Sequence, residues 1–146
     1  MLTIDLICIG RMKGHDFAEA FEAYRRMVPA KINVYELDGR SHKEEIEKIN
    51  AKLSAQAALI VMDETGKNFS SREFADRLNQ IQVMGHSHIQ FVIGGADGLT
   101  DNIRSRANLI LSLGRLTWPH MMARVMLIEQ IYRALQILAG HPYHRD

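Results

Sequence analysis

The sequence finishes on His141-Pro142-Tyr143-His144-Arg145-Asp146, six residues that hold much of its capacity for chemistry. An imidazole changes protonation near neutral pH and suits a general base. A guanidinium forks onto a phosphate or carbonyl oxygen, and a phenol ring stacks on flat heterocycles. Pro142 restricts the turn between the two histidines. Either this tail is solvated decoration, or it folds back onto a site that needs these groups. His141 and His144 stand three apart, but no cysteine or carboxylate pattern completes a ligand set, so no metal is expected.

A second group of candidates lies at glycine-marked turns. The segments "GRMKG", "DETGKN", "GGADGLT" and "GRLTWPH" each follow an apolar run that reads as a strand. Ligands of open parallel sheets bind beyond the carboxyl ends of the strands, where glycine lets a ligand approach the main chain closely. None of these turns is a phosphate cradle: Gly94, Gly95 and Gly98 do not make GxGxxG, and "ETGKN" lacks P-loop spacing and its hydroxyl residue. Glycine with apolar walls suits an adenosine without phosphates, of which S-adenosylmethionine is the obvious example. Asp63 and Asp97 suit ribose hydroxyls as readily as turn caps.

The elements that position these groups alternate. "TIDLICIG", "KINVYELD", "ALIVMD", "HIQFVIGG" and "ANLILSLG" read as strands, the third a continuous apolar run of the kind buried on both faces. Between them, Phe17, Phe21, Tyr24 and Val28 recur on one helical face. A charged stretch over about 43–57 reads as a second helix, Ser70 and Glu73 stand at capping-box spacing for a third, and a short helix starts near Asp101. A last helix runs from about Met121 to Leu138 and stops at Gly140. Short connections between five strands predict a single α/β domain over residues 1–146 with a largely parallel sheet. The last helix has one narrow polar stripe of Glu129, Arg133 and Gln136, with Gln130 beside it. An apolar surface that wide predicts two buried faces, and a homodimer interface supplies the second.

Composition sets the class. The apolar fraction of 47% and charged fraction of 24% are those of a soluble globular protein. One cysteine, Cys8, excludes an internal disulfide and points to a reducing, cytoplasmic setting. No apolar run is long enough for a membrane span, and no membrane partner is expected. Net charge is only +1, but residues 104–146 hold six arginines against two acidic residues, whereas residues 1–103 hold 12 basic against 15 acidic. Those arginines suit either phosphates or carboxylate partners elsewhere in the chain.

The blocks "FVIGGADG", "LSLGRLTWPHMMARVMLIEQIYRA" and "HPYHR", with "LICIG" at the start, resemble the ribosomal RNA large subunit methyltransferase H family over essentially the whole chain. That family belongs to the SPOUT group of S-adenosylmethionine-dependent RNA methyltransferases. The resemblance implies a C-terminal trefoil knot, which ordinary topology rules would exclude. It also implies a homodimer and methylation of N3 of a pseudouridine in 23S rRNA within the assembled 70S ribosome. By family pattern the cofactor lies against Met62, Gly94 and the stretch Ser112, Leu113, Gly114, Arg115, Leu116, Thr117 and Trp118. The tail then acquires roles. His144 takes the imide proton, Arg145 holds a uracil oxygen or a phosphate, and Tyr143 stacks on or hydrogen-bonds the flipped base. His120, Arg124 and His141 contact substrate. The competing reading of the tail is an RNA-binding element whose proton goes to water. Two other classes compete for the chain itself: a non-enzymatic ribosome-associated binder of the same fold, and a nucleotide-binding α/β domain, for which the phosphate loop is missing.

Overall fold

The computed structural model describes residues 1–146. Strands and helices alternate as β1 (Thr3–Ile9), α1 (Ala18–Met27), β2 (Lys31–Leu37), α2 (His42–Lys52), β3 (Ala58–Asn68), α3 (Ser71–Val83), β4 (His88–Ile93), α4 (Asp101–Arg106), β5 (Leu109–Ser112) and α5 (His120–Leu138). All pairings are parallel, in the order β2-β1-β4-β3-β5. Apolar side chains leave both faces of the sheet, as its continuous apolar runs require. One face carries Phe21 of α1, Phe74 and Leu78 of α3, and Leu127 and Ile131 of α5 against Ile4, Leu6, Ile60 and Phe91. The other packs Ile49 of α2 and Ile103 of α4 against Ile7, Val61 and Val92.

The capping box is present in full: Ser70 accepts from the Glu73 N–H, and Glu73 accepts from the Ser70 N–H at 2.8 Å. Two boundaries differ from expectation. Helix α2 stops at Lys52 and not near Ala57, because the side chain of buried Gln90 captures its exit. Gln90 donates to the Lys52 carbonyl at 2.9 Å and accepts from the Ser54 N–H at 2.9 Å, which holds the chain outside helical geometry. Strand β3 continues through "DETGKN", expected as a loop. Met62 and Lys67 both pair with Leu111, so the residues between them bulge out of the ladder. Glycine is needed at position 66, where a Cβ would lie 2.6 Å from the Ile110 carbonyl oxygen.

Helix α5 lies between α1 and α3. Its flanks are therefore covered within the chain, while Met122, Met126 and Ile137 are half-buried and Leu138 is exposed. No helix is long and apolar enough to cross a membrane.

Candidate active site

The carboxyl ends of β3, β4 and β5 converge on a cavity of about 290 Å³. Met62 ends the regular part of β3, Gly94 follows β4, and Leu113, Gly114, Leu116, Thr117 and Trp118 form the loop after β5; all seven line the cavity, as does His120 at the start of α5. The loop is braced in several places. Ser112 Oγ accepts from the Gly114 N–H at 3.0 Å and donates to its carbonyl at 2.7 Å, and Trp118 Nε1 donates to the Leu113 carbonyl at 3.3 Å. Thr117 Oγ1 donates to Glu64 at 3.1 Å, which joins the loop to the β3 bulge. Opposite, the Gly94–Gly98 turn folds tightly on itself: a Cβ on Gly94 would lie 3.0 Å from Leu99 Cγ and 3.1 Å from the Gly98 carbonyl. His42 Nε2 reaches the Gly98 carbonyl at 3.0 Å, a structural contact between the start of α2 and this turn.

The walls are Ile93, Leu99, Leu111, Leu113, Leu116 and Trp118; the ionised side chains at the rim are Asp63 and Glu64, and no lysine or arginine lines the space. A phosphate would find no counter-ion there, whereas a cationic adenosine derivative finds apolar surface, main-chain groups and carboxylates. The lining suits a cationic methyl-donor cofactor and not a phosphate-bearing one. Burial alone would push Asp63 up, but hydrogen bonds from Thr65 and the Arg104 guanidinium outweigh it and hold the carboxyl below its usual range. Asp97 is exposed and does not line the cavity.

Ser112 and Arg115, placed with the cofactor group by family pattern, line a different and larger cavity of about 710 Å³ between α3, α5 and the end of β5. The two cavities share the wall of Leu111, Leu113 and Gly114.

Arg124 stands apart from any RNA surface. It is 1% exposed, pairs with Glu36 at 2.5 Å and donates to the Ile9 and Gly10 carbonyls at 3.3 and 3.2 Å. The expected substrate contact is corrected to an internal tie between α5 and the ends of β1 and β2. Its partners lie around a hundred residues upstream, and spacing gives no sign of them.

The tail is folded back onto α5 and α3. Tyr143 packs edge-on to Tyr132 at 4.6 Å, lies under Arg133 at 4.8 Å, and donates its hydroxyl to Glu129 at 3.1 Å. Burial and then the Glu129 carboxylate push its phenol up to about 12, so it stays protonated. Arg133 lies 3.0 Å from His144 Nδ1, and a guanidinium only donates, so Nδ1 accepts. The ring proton is then on Nε2, 2.9 Å from Asp146 Oδ1. Asp146 in turn receives Arg72 Nε on both oxygens at 2.9 and 3.0 Å. The cation touching His144 is thus Arg133; Arg145 is exposed. His141 is exposed and its Nδ1 accepts from the Tyr143 N–H at 3.2 Å. Neither the tail residues nor Arg124 border the 290 Å³ cavity. Sequence reasoning missed Arg72 and Arg133 as tail partners, although the Glu129–Arg133 spacing on a helix was a signal for the second. The side chains form no cluster of three or more metal-ligating groups.

A family model described as "Predicted SPOUT methyltransferase" matches residues 2–144. The chain is 43% identical to a protein of Rhodospirillum centenum named ribosomal RNA large subunit methyltransferase H, over 96% of this chain and 97% of that one. It is 42% identical to a protein of the same name from Cereibacter sphaeroides, over 99% of each. Among solved structures, a probable methylase family protein from Haemophilus influenzae shares the fold, with a TM-score of 0.57 and 13% identity over 99% of this chain and 70% of that one. A parallel α/β sheet, an apolar cavity at its carboxyl edge and these relatives agree, and the chain belongs to the SPOUT methyltransferases, within the ribosomal RNA large subunit methyltransferase H family.

Proposed function

We propose that this protein is a cytoplasmic enzyme that transfers a methyl group from S-adenosylmethionine to N3 of a pseudouridine in 23S rRNA of the assembled ribosome. The observation that carries the reading is the cavity at the ends of β3, β4 and β5, whose apolar walls and acidic rim suit a sulfonium-bearing adenosine. That cofactor supplies an electrophilic methyl group. Met62, Gly94, Leu113, Gly114, Leu116, Thr117 and Trp118 would hold it. What remains for the protein is to orient the base and to accept an imide proton, and alignment is worth on the order of 7 kcal/mol when geometry is tight.

His144, Tyr143 and Arg145 serve the substrate, not the cofactor. Their distance from the cavity of their own chain supports an active site shared between two protomers, each tail serving the partner's pocket. The half-exposed apolar residues of α5 supply the surface for such a homodimer. The trefoil knot remains what family resemblance implies, and the match to the SPOUT methyltransferases is consistent with it.

Transfer of labelled methyl from S-adenosylmethionine to unmethylated 70S ribosomes tests the reaction, using the full chain and a version ending at Gly140. Label from the full chain alone supports the enzyme with a working tail, and equal label from both returns the tail to decoration. Label from neither, when an active relative succeeds, leaves the non-enzymatic binder as the better account. Mixed dimers of the shortened chain and a Gly94→Trp chain recover activity if the site is shared; mixtures that stay inactive place each site within one chain.

A further inference from the structure

The docked tail has an unusual occupant at its edge. The Asp146 carboxylate is held by Arg72 Nε through both oxygens, at 2.9 and 3.0 Å, and by the Nε2–H of His144 at 2.9 Å. Two N–H donors, one of them on a guanidinium and shared between both oxygens, thus converge on one anionic group, and charge-assisted donors of this kind also bind phosphate. The seat is open to solvent on its Arg72 side, where the Arg72 and Asp146 side chains are 55% and 68% exposed, while the His144 side chain is 12% exposed and forms its floor. It is also rigidly backed. Arg72 stands on the first turn of α3, fixed by the capping box, and His144 is buttressed by Arg133, whose own charge is matched by Glu129 at 2.6 Å. Arg133 is thus spoken for, while Arg72 makes its one salt bridge to Asp146, with Asp76 acting on it only at longer range.

An exposed ion pair of this kind contributes little and is screened by salt. A carboxylate there is readily displaced by a polyanion that carries its own geometry. Proposals for the cofactor and the base leave Arg72 and Asp146 without a task. Resting on the reading of the chain as an RNA methyltransferase, we propose that Arg72 and His144 Nε2 form a seat for one phosphate of the substrate RNA backbone, which Asp146 occupies until RNA displaces it. Asp146 is then an internal competitor. It keeps the tail ordered on α3 and α5 in the free protein and leaves the seat when RNA arrives.

The test is a double-mutant cycle on binding of unmethylated 23S rRNA over a range of salt. The proteins are the full chain, Asp146→Asn, Arg72→Gln, the double variant, and Asp16→Asn as a control for net charge, since Asp16 is exposed elsewhere. Asp146→Asn is expected to tighten binding up to about fivefold, the scale of an exposed ion pair. Arg72→Gln is expected to weaken binding and to reduce the slope of log K against log salt by about 0.7, one phosphate contact to a single strand. In the Arg72→Gln background the gain from Asp146→Asn disappears, because there is no longer a seat to vacate. Equal gains from Asp146→Asn and Asp16→Asn, or a gain that survives loss of Arg72, overturn the proposal while leaving the enzyme intact. Failure of the unaltered chain to bind the RNA overturns both. Inorganic phosphate is the second probe, at constant ionic strength: displacement of RNA from the Asp146→Asn protein at low millimolar concentration assigns the seat to free phosphate and overturns the backbone assignment.

Discussion

Replacing Arg124 with methionine separates its two readings, substrate contact and internal tie. Methionine approximates the length and bulk of the arginine stem, so the change removes charge and hydrogen bonds more than volume. Lost are the ion pair to Glu36 at 2.5 Å and the bonds to the Ile9 and Gly10 carbonyls at 3.3 and 3.2 Å. Breaking a buried pair by removing one partner costs about 3–5 kcal/mol. Two features place Arg124→Met at the lower end of that range. Glu36 keeps the Met12 N–H at 2.7 Å and is 30% exposed, so it rehydrates in part, and Arg124 Nε is itself buried without a partner, a cost the substitution removes. A loss of about 3 kcal/mol, with a urea slope of about 2 kcal/mol/M, lowers the unfolding midpoint by about 1.5 M. Adding Glu36→Gln recovers part of the loss by neutralising the stranded carboxylate. The assay is urea unfolding followed by circular dichroism, with the salt dependence of RNA binding measured where the variant is folded. A loss below about 1 kcal/mol, or a change in salt slope of about one phosphate contact, refutes the internal role.

Gly94→Ala drives a methyl group against Leu99 and the Gly98 backbone, at 3.0 and 3.1 Å, and so reshapes the cavity wall; at about 1–3 kcal/mol of overpacking, calorimetry should show S-adenosylmethionine binding weakened by roughly 5- to 150-fold. For Asp5, burial favours the neutral form, but hydrogen bonds from Asn33, Gln90 and His88 outweigh it and hold the carboxyl below its ordinary value. Its contribution is therefore full above the unfolded-state value and lost as pH falls through the lower folded one, so Asp5→Asn destabilises at pH 7 and flattens the acid limb of a urea-midpoint profile. Cys8 is fully buried and its thiol is pushed up to about 12, by burial above all. A thiol reagent at pH 8 should label it only as fast as the protein opens, and rapid labelling of the folded protein contradicts that environment.

Much of the frame was legible because it is local or periodic. The apolar runs became the strands, the Ser70–Glu73 spacing became a closed capping box, and the turns after β4 and β5 became cavity walls. What stayed hidden depends on partners distant in the chain. Gln90 shortens α2 from 38 residues downstream, and Gly66 answers to a carbonyl on β5 that only sheet assembly brings near. Arg124 reads as one more basic residue in an arginine-rich segment until Glu36 appears beside it. The docking of Tyr143 and His144 was foreseen only as an alternative, since no pattern within six residues says where a tail lands.

The tie made by Arg124 also sets a timetable. Its bonds to Ile9 and Gly10 span 115 and 114 positions of a 146-residue chain. Contacts of that separation carry a large loop-closure cost and form late. During synthesis the first strand must therefore wait, with its carboxyl end unsealed, until almost all of the sequence has been made. The seal on the oldest strand is thus left to helix α5, the last regular element of the fold to be made.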